Sequence, residues 1–156
     1  MLPRSTRRTT KGRSQDFLRE LRALRGQDIK GPEVEFDKLS KNVIGCAIEV
    51  HKALGPGLLE SAYEQCLAKE FLLSGIRFHA QVPIPIKYKG IKLDCGYRID
   101  MLIDEKLILE LKSVDKVQGI HEAQILTYMK LANIRTGLLI NFNVAMLKEG
   151  IKRFVL

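Results

Sequence analysis

The segment YRIDMLIDEKLILELKSV, residues 97–114, constrains the fold more than any other part of the chain. Two short apolar runs flank the polar stretch from Asp104 to Lys106, which is typical of a β-hairpin with a tight turn. The turn places Ile103 opposite Leu107, and this pair determines the register of the hairpin. The chain has 156 residues, of which 46% are hydrophobic, so we expect one globular domain around this hairpin.

Three charged residues lie inside these apolar runs. Counting back from the turn in this register places Asp100 directly opposite Glu110. Side chains alternate along a strand, so Lys112 lies on the same face as Glu110. The residues expected on the other face are Ile99, Met101, Ile103, Leu107, Leu109 and Leu111. The sequence thus predicts that one face of the hairpin packs, while the other carries Asp, Glu and Lys.

The remaining periodicity predicts helices and strands around this hairpin. The predicted helices are residues 37–54, 58–73 and 119–131, and the predicted strands lie within residues 76–114 and at 137–142 and 151–156. The second helix is expected to bury Leu59, Ala62, Cys66, Leu67 and Phe71. The order is α-α-β-β-β-β-α-β-β, with the last strand at a sheet edge. We therefore expect an α/β fold, a central mixed β-sheet flanked by helices.

The net charge of +8 is unevenly distributed along the chain. Residues 1–30 hold nine basic and three acidic side chains, whereas residues 31–156 hold 17 and 15. A basic excess attracts nucleic acid or an anionic membrane surface, but most of it belongs to this N-terminal arm. The arm is predicted to be disordered apart from a short amphipathic helix at residues 14–26. That helix is either a docking element for nucleic acid or a partner, or a solvated helix or an over-long gene start.

Cysteine content and hydropathy indicate the cellular compartment of the protein. The three cysteines, Cys46, Cys66 and Cys95, are far apart and odd in number, which fits neither a disulfide framework nor a four-cysteine metal site. The basic N-terminus is not followed by the apolar run of a secretion signal, and no apolar run is as long as a membrane span. We expect a cytoplasmic protein that does not contact a membrane.

Two adjacent carboxylates favour a divalent cation between them, because they otherwise repel each other and one pKa rises. Oxygen ligands of this kind suit Mg²⁺ or Mn²⁺. Such an ion activates water and orients a phosphodiester, while Lys112 positions the attacking water or stabilises the oxyanion. The alternative for Asp100 and Glu110 is an exposed charged ladder. The surrounding Leu and Ile residues argue against a ladder, because unpaired charges are costly in an apolar setting.

The helix after the hairpin contains HEAQILTYMK. Gln124 and Tyr128 are four residues apart and therefore share one helical face. Their amide and phenol groups are candidates for contact with the nucleophilic water and a substrate phosphate. His121 lies one turn earlier and is a candidate substrate contact. The alternative is a half-exposed helix surface without a catalytic role.

The segment GLLESAY places Glu60 and Tyr63 on adjacent turns at the start of the second helix. Glu60 is a candidate third acidic group, or simply a favourable acid at a helix N-terminus. Tyr63 and Arg98 are candidate substrate contacts. His51, at the end of the first helix, either reaches the same region across the turn or caps its own helix.

Six motifs resemble those of the GxxExxY protein family: VHKALGPGLLESAYE, QVPIPIKYKG, RIDMLI, ILELKSV, HEAQILTYMK and GLLINF. The resemblance extends from about Leu39 to the C-terminus. That family looks like a branch of the PD-(D/E)XK nuclease superfamily, similar to RecB-type and lambda-exonuclease-type nucleases. The resemblance implies a restriction-endonuclease-like core in a domain of residues 37–156. Ile99-Asp100 stands where the superfamily's namesake has Pro-Asp.

The resemblance also implies roles for individual residues and a Mg²⁺ or Mn²⁺ cofactor. The implied metal ligands are Asp100, Glu110 and the backbone carbonyl of Leu111, with Glu60 as a further acid. The implied catalytic lysine is Lys112, and the implied helix-borne catalytic residues are Gln124 and Tyr128.

The leading hypothesis is a metal-dependent nuclease that acts on DNA, with RNA as the other substrate. The alternative is a non-catalytic nucleic-acid or protein binding module on a nuclease-like fold, with the basic arm supplying phosphate contacts. A third hypothesis, hydrolysis of a small phosphoester or nucleotide, has the same metal chemistry and no sequence feature in its favour. The sequence leaves the oligomeric state open, although an edge strand at the terminal segment IKRFVL would allow a homodimer formed by strand pairing.

Overall fold

The structure is a computed structural model that describes residues 37–156. The basic arm predicted for residues 1–30 lies outside this range. The helices are α1 (Lys38–Leu54), α2 (Glu60–Ser74) and α3 (Gly119–Ala132). The strands are β1 (Phe78–Pro83), β2 (Ile86–Tyr88), β3 (Ile91–Leu93), β4 (Arg98–Ile103), β5 (Leu107–Lys112), β6 (Thr136–Asn141) and β7 (Ile151–Val155). A single 3₁₀ turn, Leu147–Gly150, precedes β7.

Five strands form a mixed sheet in the order β1-β4-β5-β6-β7. Only β5 and β6 run parallel within this sheet, and α3 connects them as a crossover. The other neighbours are antiparallel. The predicted α/β architecture is thus confirmed, and the C-terminal strand lies at a sheet edge as expected. Its pairing with a second copy stays a prediction.

The strands before α3 are divided differently from the prediction, five instead of four. The segment that begins at Phe78 is interrupted at Ile84 and Pro85, since proline cannot donate a backbone hydrogen bond to a ladder. The segment that begins at Ile91 is interrupted at Gly96, whose φ of +75° suits glycine. As a result β2 and β3 pair only with each other, as a separate two-stranded sheet.

Helix α1 begins at a side-chain cap. The Asp37 carboxylate accepts hydrogen bonds from the Ser40 backbone N–H at 2.8 Å and from the Arg153 guanidinium of β7 at 3.1 Å. The helix ends at Gly55, whose φ is +67° and whose N–H donates to the His51 carbonyl at 2.8 Å. The predicted range of this helix is confirmed.

The inward face of helix α2 differs from the prediction. Leu59 is the exposed N-cap residue, and Cys66 is only partly buried. The buried residues lie four apart, namely Tyr63, Leu67 and Phe71. Residues four apart lie on one side of a helix, so this helix buries a single narrow stripe of side chains. Leu59 lies outside the helix because the helix begins at Glu60, two residues later than predicted.

Both faces of the β4–β5 hairpin are buried near its turn. The pair Ile103 and Leu107 is present as predicted. However, Leu102 and Ile108, which lie on the face of the charged residues, pack against α3 in a common apolar cluster. The prediction of one core face and one charged face is therefore wrong for the half of the hairpin nearest the turn. Charge is confined to the far end of that face.

Helix α3 packs closely on β6 because Gly137 has no side chain. A Cβ there would lie 2.6 Å from the sulfur of Met129, well inside van der Waals contact. This close packing brings the face of α3 that carries Gln124 onto the sheet. Among residues 37–156, no helix is long and apolar enough to cross a membrane.

Candidate active site

The carboxylates of Asp100 and Glu110 lie where β4 and β5 separate. Backbone pairing between the strands ends at Met101 and Leu109. Beyond that pair, the Asp100 N–H donates to Oε1 of Glu110 at 3.3 Å, and the Leu111 N–H donates to Oδ2 of Asp100 at 2.8 Å. Each strand offers a backbone donor to the carboxylate of the other. The two acids are thus brought together, as the hairpin register predicts.

Glu110 is a buried acid, with only 2% of its surface exposed. Burial, and secondly the charge of Asp100, raise the pKa of Glu110 to about 8, although the Asp100 N–H and the Lys112 ammonium oppose the shift. Glu110 is therefore largely protonated at neutral pH. A cation placed against the pair would favour the ionised form and release this proton.

Lys112, Gln124 and Tyr128 form a hydrogen-bonded chain beside the acids. The ammonium of Lys112 donates to Oε1 of Gln124 at 3.3 Å, and Nε2 of Gln124 donates to the Tyr128 hydroxyl at 2.9 Å. Tyr128 is buried, and burial raises the pKa of its phenol. The three residues that the sequence placed on β5 and on one face of a helix are thus brought together. Gln124 holds the ammonium at the end of β5.

A cleft of about 470 Å³ opens beside Asp100 and Leu111. Its polar lining also includes Glu60 and Glu64 from α2 and Gln81 from β1. The cleft gives solvent access to the end of the hairpin where the acids lie. Its concave, acidic lining is suited to a cationic ligand or to a metal with its substrate.

Glu60 lies in this cleft, as predicted for the third acid. Its Oε1 accepts a hydrogen bond from the Ser113 N–H at 3.4 Å, and the Ser113 hydroxyl donates to the Leu58 carbonyl. These contacts attach the first turn of α2 to the chain that follows β5. The acid at the helix N-terminus and Asp100 of the hairpin therefore share one cleft, while Glu110 is buried beside Asp100.

Glu64 and Gln81 are candidate functional residues that sequence reasoning missed. Nε2 of Gln81 donates to Oε2 of Glu64 at 2.7 Å. Burial, and then the charges of Asp100 and Glu60, raise the pKa of Glu64. The four-residue spacing of Glu60 and Glu64 in a helix was a usable signal. Gln81 carried none, because it reaches the site only through the pairing of β1 with β4.

Gln81 also has an unusual backbone. Its φ is +54°, in the left-handed region that few non-glycine residues adopt. It interrupts the β1–β4 pairing between Ala80 and Val82, and its carbonyl accepts from Arg98 at 3.5 Å. This conformation directs the amide to Glu64 rather than along a regular strand. Arg98, a predicted substrate contact, is exposed and makes this backbone contact.

Asn141 is a third residue that the sequence reasoning missed. It is buried at the end of β6, opposite Lys112. Its side chain accepts from the Val114 N–H at 3.1 Å and donates to the Val114 carbonyl at 2.9 Å. These two bonds fix the chain that leaves β5, and thereby the position of Lys112. The only sequence signal was that Asn141, a polar residue, ends the apolar run GLLIN.

Two predicted substrate contacts lie in the interior. Tyr63 is fully buried and stacked on Phe142 at 4.4 Å between ring centroids. Its hydroxyl donates to the Gly55 carbonyl at 2.6 Å and accepts from the Leu58 N–H at 3.2 Å. His51 is also buried, and its Nε2 donates to the Val144 carbonyl at 2.8 Å. In the structure these side chains hold the turn before α2 and a loop after β6.

Replacing Tyr63 with phenylalanine is expected to lower the free energy of unfolding by about 1 to 2 kcal/mol, because two hydrogen bonds to the turn are lost. Urea unfolding with an unchanged m-value would measure this. A matched control is Tyr88→Phe, which alters an exposed tyrosine. Unchanged stability together with a raised KM would instead support the sequence prediction that Tyr63 contacts substrate.

His121 caps its own helix. Its Nδ1 accepts a hydrogen bond from the Gln118 N–H at 3.0 Å, which forms a capping box at the start of α3. The ring is partly exposed. The structure therefore gives His121 a role in beginning the helix that carries Gln124, while its contact with substrate stays a prediction.

The donor set at the end of the hairpin fits a hard divalent cation. Asp100 and Glu110 supply carboxylate oxygens. The N–H and C=O of one strand residue point to the same side, so the Leu111 carbonyl points with its N–H towards Asp100. Within residues 37–156, no group of three or more His, Cys, Asp or Glu side chains forms a metal-binding cluster. A metal here would thus be held by two carboxylates and a backbone carbonyl, with water completing the shell.

Comparison with protein families gives one match. Residues 37–154 match a family model described as the PD-(D/E)XK nuclease superfamily. No curated protein and no solved structure matches this chain significantly. The matched range includes every element that lines the cleft.

Proposed function

Because this chain belongs to the PD-(D/E)XK nuclease superfamily, we propose that it is a Mg²⁺- or Mn²⁺-dependent nuclease that hydrolyses phosphodiester bonds of DNA. The observation that carries the proposal is the convergence of Asp100, Glu110 and Lys112 at the open end of the hairpin. The spacing of Gly57, Glu60 and Tyr63 further supports placement in the GxxExxY branch.

Asp100, Glu110 and the Leu111 carbonyl would hold the metal ion. When bound, such an ion lowers the pKa of a water molecule and neutralises charge on a phosphate. The chain's acids would bind and orient it, and its binding would displace the proton held by Glu110. The cleft beside Asp100 leaves room for a phosphodiester at this point.

Lys112 is the proposed catalytic cation. Its ammonium would position the attacking water or stabilise the negative charge that develops on the phosphate. Gln124 accepts a hydrogen bond from this ammonium and is itself bonded to Tyr128, so both would orient Lys112. Glu60, on the opposite side of the cleft, would serve as a further acid towards the metal or its water.

The proposal is tested with the purified full-length protein, single- and double-stranded DNA and RNA, and Mg²⁺ or Mn²⁺. Asp100→Asn is expected to abolish both cleavage and the calorimetric signal of divalent-ion binding, because it removes a ligand charge. Asp94→Asn changes an exposed acid between β3 and β4 and is the matched control.

Cleavage that persists in Asp100→Asn would contradict the proposed metal site. Nucleic-acid binding with a steep salt dependence, in the absence of any divalent-ion binding that depends on Asp100 and Glu110, would favour the binding-module alternative. The first outcome would mean that the metal site is misplaced, and the second that the protein has no nuclease activity.

A further inference from the structure

The β2–β3 hairpin presents two chemically different faces. The strands pair Ile86 with Leu93, Lys87 with Lys92, and Tyr88 with Ile91. Residues directly across an antiparallel pair share a face, and neighbours along a strand alternate. One face therefore carries the two lysines, and the other carries the aliphatic and aromatic side chains.

The apolar face of this hairpin is exposed. Tyr88 is 59% exposed, Ile91 57% and Leu93 41%. The hairpin has only two strands and forms a sheet of its own. Two-stranded sheets are marginally stable unless a face is covered, and a contiguous exposed apolar surface indicates a binding site.

The charge of the hairpin indicates which partner covers that face. Lys87, Lys89 and Lys92 lie within six residues, and residues 84–93 contain no acidic side chain. The Lys89 ammonium lies 5.3 Å from the centre of the Tyr88 ring, so charge and aromatic surface meet at the tip. A lysine beside an exposed aromatic ring, on a hairpin with two further lysines, matches the phosphates and bases of single-stranded nucleic acid.

The base of the hairpin adjoins the candidate active site. The Ile84 N–H donates to the Tyr97 carbonyl at 2.8 Å, which closes the base. The half-exposed Tyr97 ring packs edge-on to Tyr128 at 6.4 Å. Tyr128 in turn is bonded to Gln124, the partner of Lys112. A strand bound along the hairpin would therefore lead towards Gln124 and Lys112.

We propose that the β2–β3 hairpin binds a single-stranded segment of the substrate nucleic acid. Tyr88 stacks on a base and the adjacent Lys89 contacts a phosphate, while Lys87 and Lys92 add positive charge from the opposite face of the hairpin. This inference rests on the proposed nuclease function, because it assigns a strand-binding surface to the same site. The surface supplies the positive charge that the acidic cleft itself lacks.

Binding is measured by fluorescence anisotropy of a labelled single-stranded oligonucleotide with Mg²⁺, in a Lys112→Ala background that slows cleavage. Tyr88→Ala is expected to weaken binding at least about fivefold, and Tyr88→Phe to leave it unchanged, because the ring is what stacks. Lys87→Glu with Lys92→Glu is expected to weaken binding at least about tenfold and to flatten the salt dependence.

The matched control is Lys69→Glu with Lys130→Glu, which makes the same change in net charge at exposed helix positions. Equal weakening in this control would overturn the proposal, because net charge would then explain the effect. Unchanged binding in Tyr88→Ala and in the Lys87 and Lys92 variant would also overturn it. A wild-type dimer that becomes monomeric in Ile91→Lys would assign the apolar face to a second copy and overturn it as well.

The same hairpin variants in a background with intact Lys112 separate this inference from the nuclease proposal. Their cleavage rate at saturating protein is expected to be unchanged, while the protein concentration needed for half-maximal cleavage rises. Oligonucleotide binding that depends on the hairpin, without cleavage by the wild type, would support this inference and contradict the proposed catalysis. Wild-type cleavage that the hairpin variants leave unchanged at every protein concentration would support the proposed catalysis and contradict this inference.

Discussion

Replacing Lys112 with alanine is expected to lower the rate of metal-dependent phosphodiester cleavage by about 10²- to 10⁴-fold. The ammonium is held at the end of β5 by Gln124, next to the two acids, and it is the cation that the chain itself supplies there. Single-turnover rates with saturating protein would measure the loss. Divalent-ion binding is expected to persist, because the ligand oxygens are unchanged.

The matched control is Lys130→Ala, which removes an exposed lysine from the last turn of α3. Gln124→Ala is expected to have a smaller effect than the loss of Lys112, since it only frees the ammonium from one acceptor. Cleavage at the wild-type rate in Lys112→Ala would show that this residue does not act on the reacting groups. The assignment of the catalytic lysine would then be wrong.

Replacing Glu110 with glutamine is expected to stabilise the metal-free protein at pH 8 to 9 by up to about 5 kcal/mol and to abolish metal binding. Burial and the Asp100 charge raise the pKa of Glu110 to about 8 in the folded protein, against about 4.3 in an unfolded chain. A neutral amide keeps the acceptor for the Asp100 N–H and avoids a buried like-charge pair.

The pH dependence has a definite sign. The folded protein holds the Glu110 proton more tightly than the unfolded chain does. The favourable contribution of this proton to the free energy of unfolding is therefore complete below about pH 4.5 and is lost as pH rises through about 8. The metal-free wild type should therefore lose stability over this range relative to Glu110→Gln. Urea unfolding with a chelator, at several pH values, would measure the difference.

Addition of Mg²⁺ or Mn²⁺ is expected to reverse the order of stability. Metal that binds only the folded wild type raises its stability by mass action, whereas Glu110→Gln should not respond. Glu149→Gln, a change in an exposed acid on the 3₁₀ turn, serves as the control. Equal pH dependence of stability in the wild type and Glu110→Gln would show that Glu110 is not protonated as described.

The hairpin of β4 and β5 was predictable because its constraints are local. A period of two and a polar turn determine the register, and the register brings Asp100 and Glu110 together. The spacing of Gln124 and Tyr128 was predictable for the same kind of reason, since residues four apart share a helical face. Their contact with Lys112 depended on how α3 packs on the sheet.

The strand divisions and the interior roles were less predictable. Pro85 and Gly96 lie between strands that hydrophobicity alone joins. Proline lacks a backbone donor, and Gly96 has a left-handed backbone conformation, so neither continues the pairing. Tyr63 and His51 were expected to face substrate, but the fold buries both. A polar side chain in a motif can hydrogen-bond to the backbone of a turn or to a ligand, and only its burial in the fold distinguishes these two roles.

The sequence by itself determined the succession of two helices, a run of strands, a helix and two strands. It also determined the pairing of the two hairpin acids and the identity of the neighbouring lysine. These features follow from periodicity within a few residues of each other. Only the tertiary structure decided that Gln81 and Asn141 lie at the candidate site. Their neighbours there come from other helices and strands, and such contacts between distant segments leave no periodic trace in the chain.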